Sequence, residues 1–239
     1  MDRSYEILLV DDGSDDDTVG RAEAYSAKHP EVMILRHERP KGFGACLRTA
    51  LQRARHPLFF YTALDYPYRP SDLKKLLERI NEVDIVTGFR SAAPVPETIR
   101  TLRGIWGILL RILIGMPPEP LDGWLGAKAH LYSHLMQLFF GVHVGDTDSA
   151  FKLFRREIFT RIPIQSNGPF VHVEILAKAN FLTCWMDEIP ISVQDGAKPE
   201  MLIPEFQFRE RLRDMHRLFS RPDFGPWPVV DPTANLAPN

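Results

Sequence analysis

The sequence predicts an α/β fold, a mostly parallel sheet flanked by helices. Three observations carry that reading. Apolar runs of strand length alternate with stretches of helical pattern. The runs are apolar throughout, as in strands covered on both faces. Aspartate, glycine and proline clusters close them.

In chain order, Glu6 to Val10 is the first strand, ending abruptly in Asp11-Asp12-Gly13-Ser14. A helix follows from Asp15–Thr18 to about Lys28, and Pro30 stops it. Val32 to Leu35 is a strand, Arg39 to Gly44 a loop and Ala45 to Arg55 a helix. Leu58 to Thr62 is a third strand, ending near Asp65. Pro70-Ser71-Asp72 opens a helix to about Asn81, and Asp84 to Gly88 is a fourth strand. Residues 91–143 read as two or three amphipathic helices broken by Pro117, Pro118 and Pro120. Strand and helix signals resume over Ser149–Phe159, Val171 to Ala179 is helical, and Glu188 to Val193 is a late strand. One domain over 1–220 and a proline-rich, poorly ordered tail over 221–239 are expected.

Composition narrows the class. Of 239 residues 44% are hydrophobic and 25% charged, enough apolar material for a sizeable core. The net charge of -2 gives no overall basic field for nucleic acid. Cys46 and Cys184 lie too far apart for a metal or redox motif, which fits a reduced cytoplasmic setting. The charged start runs straight into a strand and reads as no secretory leader. The most apolar stretch, Gly104 to Met116, is interrupted by Arg111 and falls short of the about 20 residues a bilayer span needs.

Ligands of open α/β sheets bind beyond the carboxyl ends of the strands. Three such ends carry polar residues: Asp11-Asp12, Asp65, and Gly88-Phe89-Arg90. Asp11 and Asp12 are candidate nucleotide-binding residues. Capping the helix is the simpler reading, but Ser14 and Asp15 suffice for that. Asp65 suits a hard cation bridging phosphates, since Mg²⁺ takes few protein carboxylates. A turn aspartate before Pro67 is its simpler reading.

Val10-Asp11-Asp12-Gly13-Ser14-Asp15-Asp16-Asp17-Thr18 resembles the acidic signature of inverting family 2 glycosyltransferases with the GT-A fold, a Rossmann-like nucleotide-binding sandwich. Lys41 to Ala50 is similar to their glycine loop and following helix. Asp146 to Arg156 resembles a block of the dolichol- and polyprenyl-phosphate sugar synthases, and Phe170 to Leu176, with Glu174, the acidic helix that follows. The resemblance covers roughly residues 5 to 195.

The resemblance implies sugar transfer from a nucleotide-sugar donor to a polyprenyl phosphate. It places Asp11 or Asp12 on the nucleoside and Asp65 on the metal and diphosphate, with Mg²⁺ or Mn²⁺ as cofactor. Asp146 falls near the reacting sugar as the catalytic residue, and Ser149 near the acceptor phosphate. Ala63 stands where the family has the first aspartate of its D-x-D. Aligned on these motifs, the sequence starts at the family's second strand and lacks the family's first β-α unit of roughly 30 residues; a truncated gene model, a fragment and a degenerate protein are the readings this leaves open.

The 91–143 segment fits a lipid acceptor. Arg100, Arg103 and Arg111 border Trp106, Leu109 and Ile112, and such a helix can rest at a membrane surface. Packing on the domain's own core is the alternative. Arg103 and Lys152 are candidate acceptor-phosphate ligands. His130, His134 and His143 complete no metal site. Two other functions stay open: a non-catalytic relative, motivated by Ala63, and a phospho-receiver signalling domain. The latter would use Asp65 and Thr87 but needs a lysine that residues 91–127 lack.

Overall fold

The computed structural model describes residues 4–63, 68–90, 135–192 and 208–225. They divide between two compact units. One comprises Met1–Leu58, Arg155–Lys178 and Arg209–Asn239, the other Phe59–Phe154 and Ala179–Phe208.

The first unit opens with β1 (Ile7–Asp11), α1 (Thr18–Ser26), β2 (Val32–Arg36) and α2 (Phe43–Arg53). β1 and β2 pair in parallel from Ile7↔Val32 to Asp11↔Arg36. Asp17, rather than Ser14 or Asp15, holds the N-cap position of α1 and makes no side-chain capping bond; the Asp16 carboxylate just ahead of it accepts the Thr18 N–H at 3.0 Å. α2 starts two residues earlier than the apolar pattern indicates, because Gly42 at φ 94° turns the chain directly into Phe43. Both strands are thinly covered. Leu8, Leu9 and Val10 are half-buried, and Ile7 and Met33 are 45% and 42% exposed. The expectation of strands buried on both faces does not hold here. The unit's core lies instead around Ile162, Phe170, Val173 and Leu176, on and before α4 (Val171–Phe181).

The second unit holds a four-stranded sheet of order β3-β5-β4-β6, with β3 (Leu58–Tyr61), β4 (Ile85–Arg90), β5 (Lys152–Arg155) and β6 (Met186–Ile191). α3 (Leu73–Arg79) follows a 3-10 turn at Pro70–Asp72. β6 runs parallel to β4, but β5, which lies between β3 and β4, runs antiparallel to β4, so the sheet is mixed. Its strands are closed in: Ile85, Val86 and Phe154 have no exposed surface. Aromatic contacts fill this core, Phe60 edge-on to Phe151 at 4.8 Å and Tyr61 stacked on Phe154 at 5.5 Å.

Residues 135–140 are helical; the rest of the expected helices of 91–143 lies at 91–134, outside the described residues. α5 (Phe208–Ser220) follows, inside the expected 1–220 domain at a place where the sequence reading names no element. Of the expected tail, 226–239 lies outside the described residues.

Candidate functional site

In the first unit, β1 delivers Asp11 and Asp12 to the start of a tight turn. Asp11 is 4% exposed, its carboxylate accepting the Ser14 N–H at 3.3 Å and standing 3.5 Å from Arg36 Nε. Gly13, at φ 80°, makes that turn against Pro40. Asp12 reaches the glycine loop. Its Oδ1 accepts the Lys41 N–H at 2.9 Å and bonds His37 Nδ1 at 2.7 Å, while Oδ2 accepts the Gly42 N–H at 2.7 Å. Burial alone would push its pKa up; these bonds outweigh that and hold the carboxyl below its ordinary value.

The loop is clamped from its other side. The Gly44 N–H donates to the Asn167 carbonyl at 2.7 Å, and a Cβ on Gly42 would come within 2.5 Å of that oxygen. Arg48 donates to the carbonyls of Ile164 and Ser166 and to the Asn167 side chain. Glu174 on α4 accepts the N–H groups of Gln165 and Ser166 at 2.6 and 2.7 Å and pairs with Lys178 at 2.9 Å, both side chains 1% exposed. A chain of bonds thus runs from Glu174 through residues 165–167 to the glycine loop and Asp12.

Asp12, His37 and Cys46 offer ligand atoms within 4.8 Å of one another. The set does not fit Mg²⁺ or Mn²⁺, which take oxygen donors. Asp12 and His37 already bond each other, and His37 Nε2 bonds Thr49 at 2.9 Å. Burial, then the charge of Asp12, pushes the Cys46 thiol up to about 12, so it stays protonated at neutral pH. These contacts build an anchor for the loop.

The second unit collects Asp146, Ser149 and Lys152. Asp146 is half-buried on the loop before β5. Glu188 on β6 organises that loop, accepting the Gly145 N–H at 2.9 Å and the Asp146 N–H at 3.4 Å. Burial pushes Glu188 up; the two donors and Lys152 oppose this, and Asp146 adds to it. Lys152 is wholly buried, its ammonium donating to the carbonyls of Thr147 and Ser149. Ser149, also wholly buried, accepts the Phe151 N–H at 3.3 Å. Thr87 on β4 pairs with Lys152 on one side and Glu188 on the other, and its buried hydroxyl has no hydrogen-bond partner among the described residues. Residues opposite one another across a sheet share a face. Lys152, Thr87 and Glu188 therefore form one polar row beneath the Asp146 loop.

Asp11 and Asp12 are brought together in one unit, and Asp146, Ser149 and Lys152 in the other. Asp65 and Arg103 lie outside the described residues, as do Arg100, Arg111, His130 and His134. His37, Arg48 and Glu188 escaped the sequence reading. Only Glu188 leaves a trace there, in the acidic pair Asp187-Glu188 inside a strand.

Relatives agree with this architecture. The chain is 24% identical over 219 residues to the dolichyl-phosphate beta-glucosyltransferase of Saccharomyces cerevisiae, covering 87% of this chain and 63% of that one. It is 28% identical over 161 residues to dolichyl-phosphate beta-glucosyltransferase ALG5C of Trichomonas vaginalis, covering 64% of this chain. To the undecaprenyl-phosphate mannosyltransferase of Micrococcus luteus it is 25% identical, covering 78% of this chain and 71% of that one. The chain spans 42% and 63% of the length of the first two. Among solved structures, glucosyl-3-phosphoglycerate synthase of Mycobacterium tuberculosis, a GT-A fold enzyme, superposes with a TM-score of 0.62 at 16% identity, covering 91% of this chain and 70% of that one. The same enzyme in complex with Mn²⁺, UDP-glucose and phosphoglyceric acid gives 0.55 at 17% identity, with 90% and 69% covered. The pattern of glycosyl transferase family 2 matches residues 2–162 and takes in the β1 turn, the glycine loop and the Asp146 loop; with that match the phospho-receiver alternative falls, and the chain belongs to glycosyl transferase family 2.

Proposed function

We propose that the chain transfers a sugar from a nucleotide-sugar donor to a polyprenyl phosphate, with inversion. The observation that carries this is the Asp146–Arg156 block. It matches the polyprenyl-phosphate sugar synthases in sequence, and it lies on a loop whose backbone Glu188 and Lys152 hold from beneath. The names of the relatives above support the same acceptor class.

The division of labour follows from exposure. Asp12, its side chain 28% exposed, keeps part of its carboxylate open beside the glycine loop, where it or Asp11 meets the nucleoside. Asp146 positions the sugar or steadies positive charge developing at the anomeric carbon. A phosphate acceptor is already anionic near neutral pH and asks for no strong base. Lys152 and Ser149 are enclosed, so they serve the acceptor phosphate by shaping the loop, and Arg103 is the side chain left to bind it directly. Asp65 is the proposed holder of Mg²⁺ or Mn²⁺; when bound, the cation would offset charge on the departing diphosphate. Peripheral contact with a membrane, at its cytoplasmic face, belongs to the same reading. Among the described residues no helix is long and apolar enough to cross one.

The test is incubation of membranes and purified protein with radiolabelled nucleotide sugars, followed by lipid extraction. Label in the organic phase is expected. Label confined to protein or polysaccharide would refute the lipid acceptor. Ala63, two residues past β3 where a carboxylate would assist the cation, favours one second reading: a relative that binds donor and transfers nothing. Nucleotide binding without label in any product would select it.

A further inference from the structure

Asp12, His37 and Cys46 reach one point from three elements of the first unit. Asp12 follows β1, His37 follows β2, and Cys46 lies in the first turn of α2. Besides anchoring the glycine loop, they bring an oxygen, a nitrogen and a sulfur within 4.8 Å of one another. That donor set is foreign to Mg²⁺ but is one that Zn²⁺ takes. His37 Nδ1 lies 2.7 Å from Asp12 Oδ1 and 4.0 Å from Cys46 Sγ. Around a tetrahedral zinc the same pairs stand about 3.4 and about 3.6 Å apart, from bonds of about 2.1 Å to nitrogen and oxygen and about 2.3 Å to sulfur. Small turns of the His37 ring and the Asp12 carboxylate make up a difference of about half an ångström.

The surroundings suit the ion. His37 Nε2 lies 2.9 Å from Thr49 Oγ1, the outer bond that orients a zinc-bound imidazole. Burial, then the negative charges of Asp12 and Asp11, keep the Cys46 thiol protonated; a divalent cation reverses that preference, since a coordinated thiol gives up its proton. The Asp12 side chain is 28% exposed, which leaves an open side for water. We propose that Asp12 Oδ1, His37 Nδ1 and Cys46 Sγ bind one Zn²⁺, with water as the fourth ligand. On binding, the thiol proton goes to solvent and the imidazole carries its proton on Nε2, donated to Thr49. The dication and the two anionic ligands then sum to zero charge. Asp12 Oδ2 still accepts the Gly42 N–H, so the loop stays tied. The carboxylate is no longer open to a nucleoside, and zinc therefore opposes donor binding. That consequence rests on the proposed role of Asp12; the metal site does not.

The full chain is titrated with Co²⁺ as a spectroscopic probe and then with Zn²⁺. A thiolate-to-cobalt charge-transfer band with tetrahedral d–d bands is expected, and an equivalent of Zn²⁺ should remove it. This readout needs no variant. Cys46→Ser should lose the band and weaken zinc binding about tenfold or more. Replacing the chain's other cysteine, Cys184→Ser, should change neither. A cobalt spectrum without the thiolate band overturns the proposal. So does a band that Cys46→Ser keeps, or one that Mg²⁺ removes as readily as Zn²⁺. Calorimetry with a nucleoside diphosphate in excess Mg²⁺ follows, and Zn²⁺ should weaken binding to the parent chain but not to Cys46→Ser. If the cobalt and zinc results hold while nucleotide affinity is unchanged, the metal site stands and the placing of Asp12 on the nucleoside fails.

Discussion

β1 and β4 are similar strands by composition, Ile-Leu-Leu-Val-Asp and Ile-Val-Thr-Gly-Phe-Arg, yet they end in different environments. β4 lies between β5 and β6, and Ile85 and Val86 are sealed. β1 pairs with β2 alone among the described strands, and Ile7 remains 45% exposed. Burial of a strand is thus decided by how many neighbours pair and pack with it. The β1–β2 half makes up order by other means. Its loops are tied by charged side chains that collect backbone N–H groups, Asp12 on one side and Glu174 on the other.

The largest expected effect separates the two sheets directly. Phe154→Ala, in the sealed sheet, should cost about 3–5 kcal/mol, whereas Leu9→Ala, in the half-covered pair, should cost roughly 1 kcal/mol. Urea unfolding of the two variants checks this, and equal shifts of the midpoint would break the comparison. Next in size is Glu174→Gln, which leaves Lys178 as an uncompensated buried charge and should cost about 3 kcal/mol. The double change Glu174→Gln with Lys178→Met should recover most of it. Because residues 165–167 seat the glycine loop, Glu174→Gln should also weaken nucleoside diphosphate binding by calorimetry, with little change in the loop around Asp146.

The two units should also answer pH with opposite sign. The Asp12 pKa is lowered in the folded chain, so its contribution is complete above the ordinary value of 3.8 and is lost as pH falls through the folded pKa. Asp12→Asn should therefore be most harmful near neutral pH, the difference from the parent chain shrinking in acid. The Glu188 pKa is raised, so its favourable contribution is present below 4.5 and is lost as pH rises through the folded pKa. Glu188→Gln should compare better with the parent chain as pH increases. Thermal unfolding across that range decides both signs. The smallest effect belongs to Met33→Thr. At 42% exposure on β2 it should stay within about 0.5 kcal/mol; a larger loss would show that β2 is covered more fully than its exposure indicates.

Much of the candidate site was legible because its residues form contiguous motifs. Asp11 and Asp12 end an apolar run, and Gly42 and Gly44 open a helix, features confined to a few neighbouring positions. What was not legible is what those residues bond. Asp12 meets Gly42 across 30 positions, and Glu188 meets Gly145 across 43. The sequence marks Lys152 as a candidate phosphate ligand, and only its enclosure beneath the Asp146 loop shows that its ammonium donates to the carbonyls of Thr147 and Ser149.

The sequence by itself determined the order of the described elements as far as β6, many of their boundaries and the family. These depend on periodicity, on helix starts and stops, and on short motifs, all written within a few residues. The tertiary structure alone decided the place of β5 between β3 and β4 and its antiparallel run against β4, the thin cover of β1, and the bonds of Glu174, Glu188 and Lys152. Each of these rests on pairing and burial between segments tens of residues apart. A residue's own side chain and its nearest neighbours in sequence look the same whichever distant partner the fold brings to it.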